Sequence, residues 1–394
     1  MNNCGLCPRG CGVEKNGTGF CRVRSGVSVS AGVLDNPARF GTVDSRRGYI
    51  TALAVDPIEK KPLYHWRPGS SVFSVGFAGC NLRCPFCQNW HISQAADAPS
   101  RGISPGELVK EAAESLCGQI AYTYSEPLVH FEYLLDCMEK ARDAGIANIL
   151  VSNGCINEGP ASEALALTDA ANIDLKSFSA ETYAKILGGD LRAVLNFIRI
   201  AVTLGVHLEI TTLVVPGLND SKEELDDTAA FIAGLSPETG ASGKTGLSAE
   251  AGGSTETGPR AQGIPWHLSA YHPDWKWDAP PTKPGALLQI ARRAADRHPR
   301  LRNFIYIGNA APPAFRPERA AEFWDTVCPA CGAVLVCRSP RYGFPPYKSS
   351  LAGLEFRDSQ GRYYCAACGN PAPISVQSTK NAAATAASAK TART

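Results

Sequence analysis

Three cysteines stand close together in the run Gly79-Cys80-Asn81-Leu82-Arg83-Cys84-Pro85-Phe86-Cys87-Gln88-Asn89-Trp90. On a C-x3-C-x2-C loop, each of the three thiolates can bind one iron of a cubane cluster and leave the fourth iron without a protein ligand. An open position on a metal centre is where substrate binds, the same logic that separates catalytic from structural zinc sites. The competing reading of this spacing is a three-cysteine zinc site that borrows its fourth ligand from elsewhere in the chain.

Two more cysteine groups flank the loop. Cys4, Cys7, Cys11 and Cys21 form C-x2-C-x3-C-x9-C in a segment with too little apolar material to build its own core. A four-thiolate zinc knuckle suits such a segment, with an auxiliary iron–sulfur cluster as the alternative. Near the other end, Cys328-Pro329-Ala330-Cys331 and Cys365-Ala366-Ala367-Cys368-Gly369 are paired C-x2-C knuckles. They read as a zinc ribbon, with rubredoxin-like iron as the alternative. Cys337 is either a substitute ligand there or a packing residue, and Cys155, after Asn153-Gly154, is the remaining cysteine placed to approach the barrel's site, with a buried small hydrophobe as the favoured reading.

The chain carries 15 cysteines in 394 residues, more than an average composition. No apolar run is long enough to span a membrane, and Met1-Asn2-Asn3-Cys4 lacks the basic and apolar segments of a secretory signal. A cytoplasmic protein is expected, and in that reducing compartment clustered thiols read as metal ligands before disulfides. Thirty-nine basic against thirty-seven acidic side chains leave a net charge of +2. This balance offers no footprint for nonspecific nucleic-acid binding.

The elements that must position these residues follow from periodicity. Strand patterns fall at Val72 to Ala78, Ile120 to Tyr124, Asn148 to Ser152, Ile173 to Lys176, Leu208 to Val215, Trp266 to Tyr271 and Phe304 to Gly308. Helix-period stretches lie between them, at Leu128 to Ala144, Leu191 to Leu204, Lys222 to Ile232 and Gly285 to Arg297. Strand–helix alternation predicts an α/β chain with a parallel sheet. With no glycine-rich phosphate turn after the first strand, an open or closed barrel is favoured over a dinucleotide-binding sheet. The domain reading is a Cys-rich metal-binding segment over 1–24, a connector over 25–69, a barrel over 70–320 with a flexible insertion at 236–263, a zinc-ribbon-like domain over 321–373, and a disordered tail over 374–394.

The C-x3-C-x2-C loop with an aromatic before its last cysteine resembles that of the radical S-adenosylmethionine (SAM) superfamily. More narrowly, Asp56-Pro57-Ile58-Glu59-Lys60-Lys61-Pro62-Leu63-Tyr64-His65, Pro68-Gly69 and Cys84-Pro85-Phe86-Cys87-Gln88-Asn89-Trp90 resemble the AmmeMemoRadiSam-system radical SAM enzymes. Those are relatives of the pyruvate formate-lyase activating enzymes. The segments Tyr122-Thr123-Tyr124-Ser125-Glu126-Pro127, Asp174-Leu175-Lys176, Leu213 to Asp220, His267-Leu268-Ser269, His272-Pro273 and Gly308-Asn309 repeat the family order. The resemblance implies a partial (β/α)6 barrel in which Cys80, Cys84 and Cys87 hold a 4Fe-4S cluster whose fourth iron chelates SAM. It further implies a low-potential electron donor such as flavodoxin or ferredoxin, and a 5′-deoxyadenosyl radical that abstracts hydrogen from a substrate the residues do not name.

SAM carries both signs of charge, so its pocket needs both signs of partner. By resemblance Glu126 is expected at the SAM ammonium, Lys176 at the carboxylate with Asp174 beside it, and His267 at the ribose. Each also has a plain structural reading: Glu126 as a helix N-terminal carboxylate, Asp174 and Lys176 as an ion pair, His267 as a hydrogen-bonded core histidine. Glu209, on an otherwise apolar strand, is expected to point into the barrel toward SAM or a cation. Lys60, Lys61 and His65 are read as contacting substrate or partner, against a solvated face. A glycyl-radical activating reaction is the leading specific expectation, followed by modification of a small molecule, or of a side chain together with AMMECR-like and Memo-like partners. From another class, the alternative is a zinc-ribbon nucleic-acid or protein adaptor carrying an inactive barrel.

Overall fold

The computed structural model of the chain describes residues 2–13, 17–25, 49–95, 98–235, 263–310, 323–340, 347–356 and 362–375. All of the expected insertion but its last residue (236–262 of 236–263), most of the connector (26–48) and most of the tail (376–394) lie outside the described residues.

One nine-stranded sheet dominates. Its strands are β1 (Tyr49–Pro57), β2 (Ser71–Phe77), β3 (Arg101–Gly102), β4 (Gln119–Thr123), β5 (Ala147–Ser152), β6 (Ala170–Asp174), β7 (His207–Val214), β8 (Trp266–Ala270) and β9 (Ile305–Gly308). Their order across the sheet is β9-β8-β7-β6-β5-β4-β2-β1-β3. The seven strands from β2 to β9, leaving out β3, run parallel, as the strand–helix alternation predicts. The sheet does not close: β9 ends one edge, and the other is extended by β1, antiparallel to both its neighbours, and then by the short β3. It is an α/β fold with a mostly parallel, open sheet, as the resemblance implies. Strand β1 lies in the stretch expected to be mere connector.

Helices cover the outer face. Leu191–Thr203 buries Leu191, Val194, Phe197, Ile198 and Ala201, one stripe at helical spacing, and Phe131–Asp143, Lys222–Gly234 and Pro284–Arg297 do the same beside it. The predicted helix at Leu128 begins three residues late, because Pro127–His130 takes a 3-10 turn first.

The inner face is filled from below. Small side chains Ala121, Ala147 and Ala170, with Val72 and Ile149, leave room for Ile58, Leu63 and Trp66, and together they form a separate buried cluster. The segment after β1 therefore plugs the sheet at the N-terminal ends of its strands. Trp66 Nε1 donates to Gln119 Oε1 at 3.0 Å, and Asn172 Nδ2 donates to the carbonyl of Pro62 at 2.7 Å. The C-terminal segment seals the plug: Ser375 N donates to His65 O, and the buried Arg338 donates to Tyr64 O at 2.7 Å and lies over its ring. Ile374 is buried and Ser375 bridges to Trp66, so these first two residues of the expected disordered tail are tied down.

Candidate active site

Successive inward side chains on a strand climb one layer at a time, because alternate residues share a face. On β6 the climb is Ala170, Asn172, Asp174; on β7 it is Glu209, Thr211, Leu213; on β8 it is His267, Ser269. The upper inward positions, Asp174, Thr211, Leu213 and Ser269, line a cavity of about 210 Å³ at the C-terminal ends of the strands. The layer beneath touches the plug instead.

Cys80, Cys84 and Cys87 border that same cavity. They sit on the loop that leaves β2, with Leu82 N donating to Cys80 Sγ at 3.3 Å and Ser93 Oγ lying 3.2 Å from Cys87 Sγ. Asn153 Nδ2 reaches Cys80 Sγ at 3.6 Å and Asn81 Oδ1 at 2.9 Å. Burial pushes the Cys84 thiol up to about 12, and burial together with the nearby Glu126 carboxylate raises Cys80 as well. Lys176 and Asp174 face the cysteines from the cavity wall, joined Nζ to Oδ2 at 2.9 Å. The strand ends at Asp174, so Lys176 reaches the wall from the turn that follows rather than from the strand itself. Burial opposes its charge, but the Asp174 carboxylate and the Cys84 sulfur outweigh it and hold the Lys176 pKa above the ordinary lysine value.

The remaining expected site residues are placed elsewhere. Glu126 is fully buried and does not line the cavity. Its oxygens accept from Ser152 Oγ at 2.8 Å, Asn153 N at 2.8 Å and Leu128 N at 3.1 Å, so it caps the turn at Pro127–His130. Burial raises its pKa to about 7 against those three donors. In place of a ribose, His267 Nε2 meets Glu209 Oε2 at 2.7 Å, one layer below Ser269, with its ring stacked on Tyr306. Nor is Glu209 aimed at SAM or a cation: it accepts from the backbone N–H groups of Tyr64 and His65 at 2.9 and 2.7 Å and meets His207 at 3.0 Å. Lys61 is buried and pairs with Asp56 at 2.7 Å, Lys60 pairs with the same carboxylate at 2.8 Å, and His65 is buried against the Tyr306 hydroxyl. Lys61 and His65 are parts of the plug, because a charge or a ring in that dry layer needs a partner of its own, whereas Lys60 is exposed to solvent at its edge. Cys155 is buried and lies off the cavity.

Several cavity residues were given no role by the sequence. Gln94 donates to Leu82 O and leaves Oε1 buried without a partner among the described residues. Asn89 Nδ2 donates to the Tyr124 carbonyl at 2.7 Å. Tyr124 adopts a left-handed backbone (φ 70°) that turns its ring over Gly76, where a Cβ would stand 2.9 Å from Cδ2. Thr211 was legible through alternation alone, two residues along β7 from Glu209.

The donor set fits an iron–sulfur cluster with one open iron. The cavity's described lining holds these three cysteines, no fourth and no histidine. The same lining holds a cation, a carboxylate, the hydroxyls of Ser125, Thr211 and Ser269, and the amides of Asn153 and Asn309, a wall suited to a cosubstrate of mixed charge.

A family model described as the radical SAM superfamily matches residues 74–232. An uncharacterized protein of Methanocaldococcus jannaschii is 37% identical over 338 residues, covering 85% of this chain and 87% of that one. The pyruvate formate-lyase-activating enzyme of Staphylococcus epidermidis is 28% identical over 172 residues, 40% of this chain and 67% of that one. A solved domain of the pyruvate-formate lyase-activating enzyme from Bacteroides vulgatus is 18% identical, covers 48% of this chain and 97% of that one, and has a TM-score of 0.36. This chain belongs to the radical SAM superfamily, and membership implies a 4Fe-4S cluster and SAM. No helix among the described residues is long and apolar enough to cross a membrane.

Proposed function

We propose that Cys80, Cys84 and Cys87 hold the 4Fe-4S cluster and that SAM occupies the cavity they border. The observation that carries this is the meeting of three thiols and the Lys176–Asp174 pair on one cavity at the C-terminal ends of the strands. Bound together, cluster and SAM supply reductive cleavage to methionine and a 5′-deoxyadenosyl radical for hydrogen abstraction from substrate. The chain's own residues bind and orient. Lys176 supplies a point charge for the SAM carboxylate, and Asp174 holds that ammonium in place and offers an acceptor to a cationic group. Ser269, Thr211 and Asn309 are the hydroxyl and amide partners for the ribose, the task expected of His267. Glu126 positions Asn153, and through it Cys80, without touching SAM.

For the reaction class, we favour activation of a protein partner by glycyl-radical formation, supported by the partial likeness to pyruvate formate-lyase-activating enzymes. The narrower AmmeMemoRadiSam reading, with AMMECR-like and Memo-like partners, rests on the ordered motifs from Asp56 to Asn309. The electron donor is then of the flavodoxin or ferredoxin class, and the protein is cytoplasmic. The C-terminal tetrad is assigned zinc: all four sulfurs lie within 4.8 Å of one another, with Cys328–Cys368 at 3.6 Å and Cys331–Cys365 at 3.7 Å, the spread of a tetrahedral thiolate site. Cys337 stands outside that tetrad.

Anaerobic reconstitution followed by SAM and dithionite tests the reading. Deoxyadenosine and methionine in equal amounts are expected, and folded, iron-loaded protein that forms neither is an inactive barrel. An EPR-visible backbone radical on a partner protein separates activation from the other reactions.

A further inference from the structure

Cys4, Cys7, Cys11 and Cys21 all face one small void, walled also by Leu6, Phe20, Val129 and Asn81. Here the four sulfurs are not drawn together as they are in the C-terminal tetrad, which is the one group of three or more potential ligands among the described residues with all its ligand atoms within 4.8 Å. A single zinc ion needs sulfurs at about that tight spacing, because each lies about 2.3 Å from the metal. A cubane, whose irons each take one thiolate on the outside, needs them farther apart around a central space.

The surroundings suit an anionic group. Arg24, only 2% exposed, lines the void with its Nε without a hydrogen-bond partner among the described residues. Its other nitrogens are held by Glu132 at 2.8 and 2.9 Å. Phe20 N donates to Cys11 Sγ at 3.5 Å.

The segment is also built onto the barrel's cysteine loop. Gly79, immediately before Cys80, has φ +82°, and a Cβ there would lie 2.5 Å from the carbonyl of Cys21 and 2.8 Å from Val23. Arg83 donates to Phe20 O and lies over the Phe20 ring, and Arg22 donates to Gln94 O in the cavity wall. Asn81 is shared: it lines the void and accepts from Asn153, which also reaches Cys80.

We propose that Cys4, Cys7, Cys11 and Cys21 hold a second iron–sulfur cluster, docked against the Cys80–Cys87 loop, rather than a zinc ion. Such a centre takes up and returns one electron at a time from a low-potential donor of the ferredoxin or flavodoxin class, with no bond made or broken.

The test uses the full chain with Cys80, Cys84 and Cys87 all changed to Ala, purified and reconstituted without oxygen. About four irons and four acid-labile sulfides per chain are expected to remain, together with an EPR signal on dithionite reduction. Adding Cys4→Ser and Cys7→Ser to that background should remove them. In the otherwise native chain, the same two serine changes should lower iron from about eight to about four per chain. Two zinc ions and no sulfide in the triple variant overturn the proposal. So does a tetrad that binds no metal, or iron and sulfide that survive the serine changes. None of these outcomes touches the reading of the barrel loop, which the native chain reports through SAM cleavage.

Discussion

The inner face of the sheet carries similar residues at two levels, and they do opposite things. At the floor, Glu209 with His207, His267 and His65 meets partners on every side: two backbone N–H groups of the plug, two imidazoles and the Tyr306 hydroxyl. At the rim, Asp174 and Lys176 have each other and an open cavity, and three thiols face them. A buried charge whose partners are already supplied is architecture, whereas one whose remaining valences point into a cavity is available to a ligand. The difference comes from the plug, which fills the lower layer and stops short of the upper one.

The largest effect should come from the rim. Cys84→Ala is expected to abolish iron binding at the loop and deoxyadenosine formation together while leaving the fold's circular dichroism intact; activity surviving in that variant would dissolve the distinction between the levels. Next comes the floor. Glu209→Ala leaves histidines and backbone donors unpaired in a dry layer and should cost about 3–5 kcal/mol of stability by denaturant unfolding, with cluster iron per folded chain unchanged. A Glu209 variant that instead lost SAM affinity at native stability would move the floor into the site.

Smaller still is Lys176→Ala, which removes one charge-assisted contact of about 1.5–3 kcal/mol and should weaken SAM binding by about ten- to a hundredfold by equilibrium titration. An unchanged SAM Kd would make Lys176 and Asp174 a structural pair like those below. The mildest prediction concerns pH. Burial lowers His65 to about 3 and His130 to about 4, whereas an unfolded histidine titrates near 6.5. Between those values the unfolded chain binds protons that the folded chain refuses. Stability is therefore full above pH ~6.5 and falls on acidification through that window, by at most about 1.4 kcal/mol per pH unit for each histidine. His65→Gln should flatten the slope between pH ~6.5 and ~4.5, above the range where Glu209 itself would titrate.

Much of this was legible in the residues. The seven parallel strands follow from alternating patterns, and their observed limits differ from the predicted ones mostly by a residue. The ion pair of Asp174 and Lys176 was legible from its spacing. A strand pattern tells which face a side chain takes and not which layer: Ser269, two residues beyond His267, is the one that lines the cavity. Glu126 is turned from the cavity because Leu128 N–H in the turn opened by Pro127, with Ser152 and Asn153, claims its carboxylate. Lys61 and His65 looked like surface groups in a polar connector, and nothing local in Asp56 to His65 tells that the stretch folds under the sheet.

The sequence by itself determined the chemistry available, since the C-x3-C-x2-C spacing limits what three thiolates can bind together, and it determined the parallel sheet, since local periodicity is a short-range property. The tertiary structure alone decided which polar groups are free to act. That depends on whether donors from distant segments, the N–H groups of Tyr64 and His65 for Glu209 and the Ser152 hydroxyl and Asn153 N–H for Glu126, arrive first, and contacts across so many residues leave no trace in local pattern.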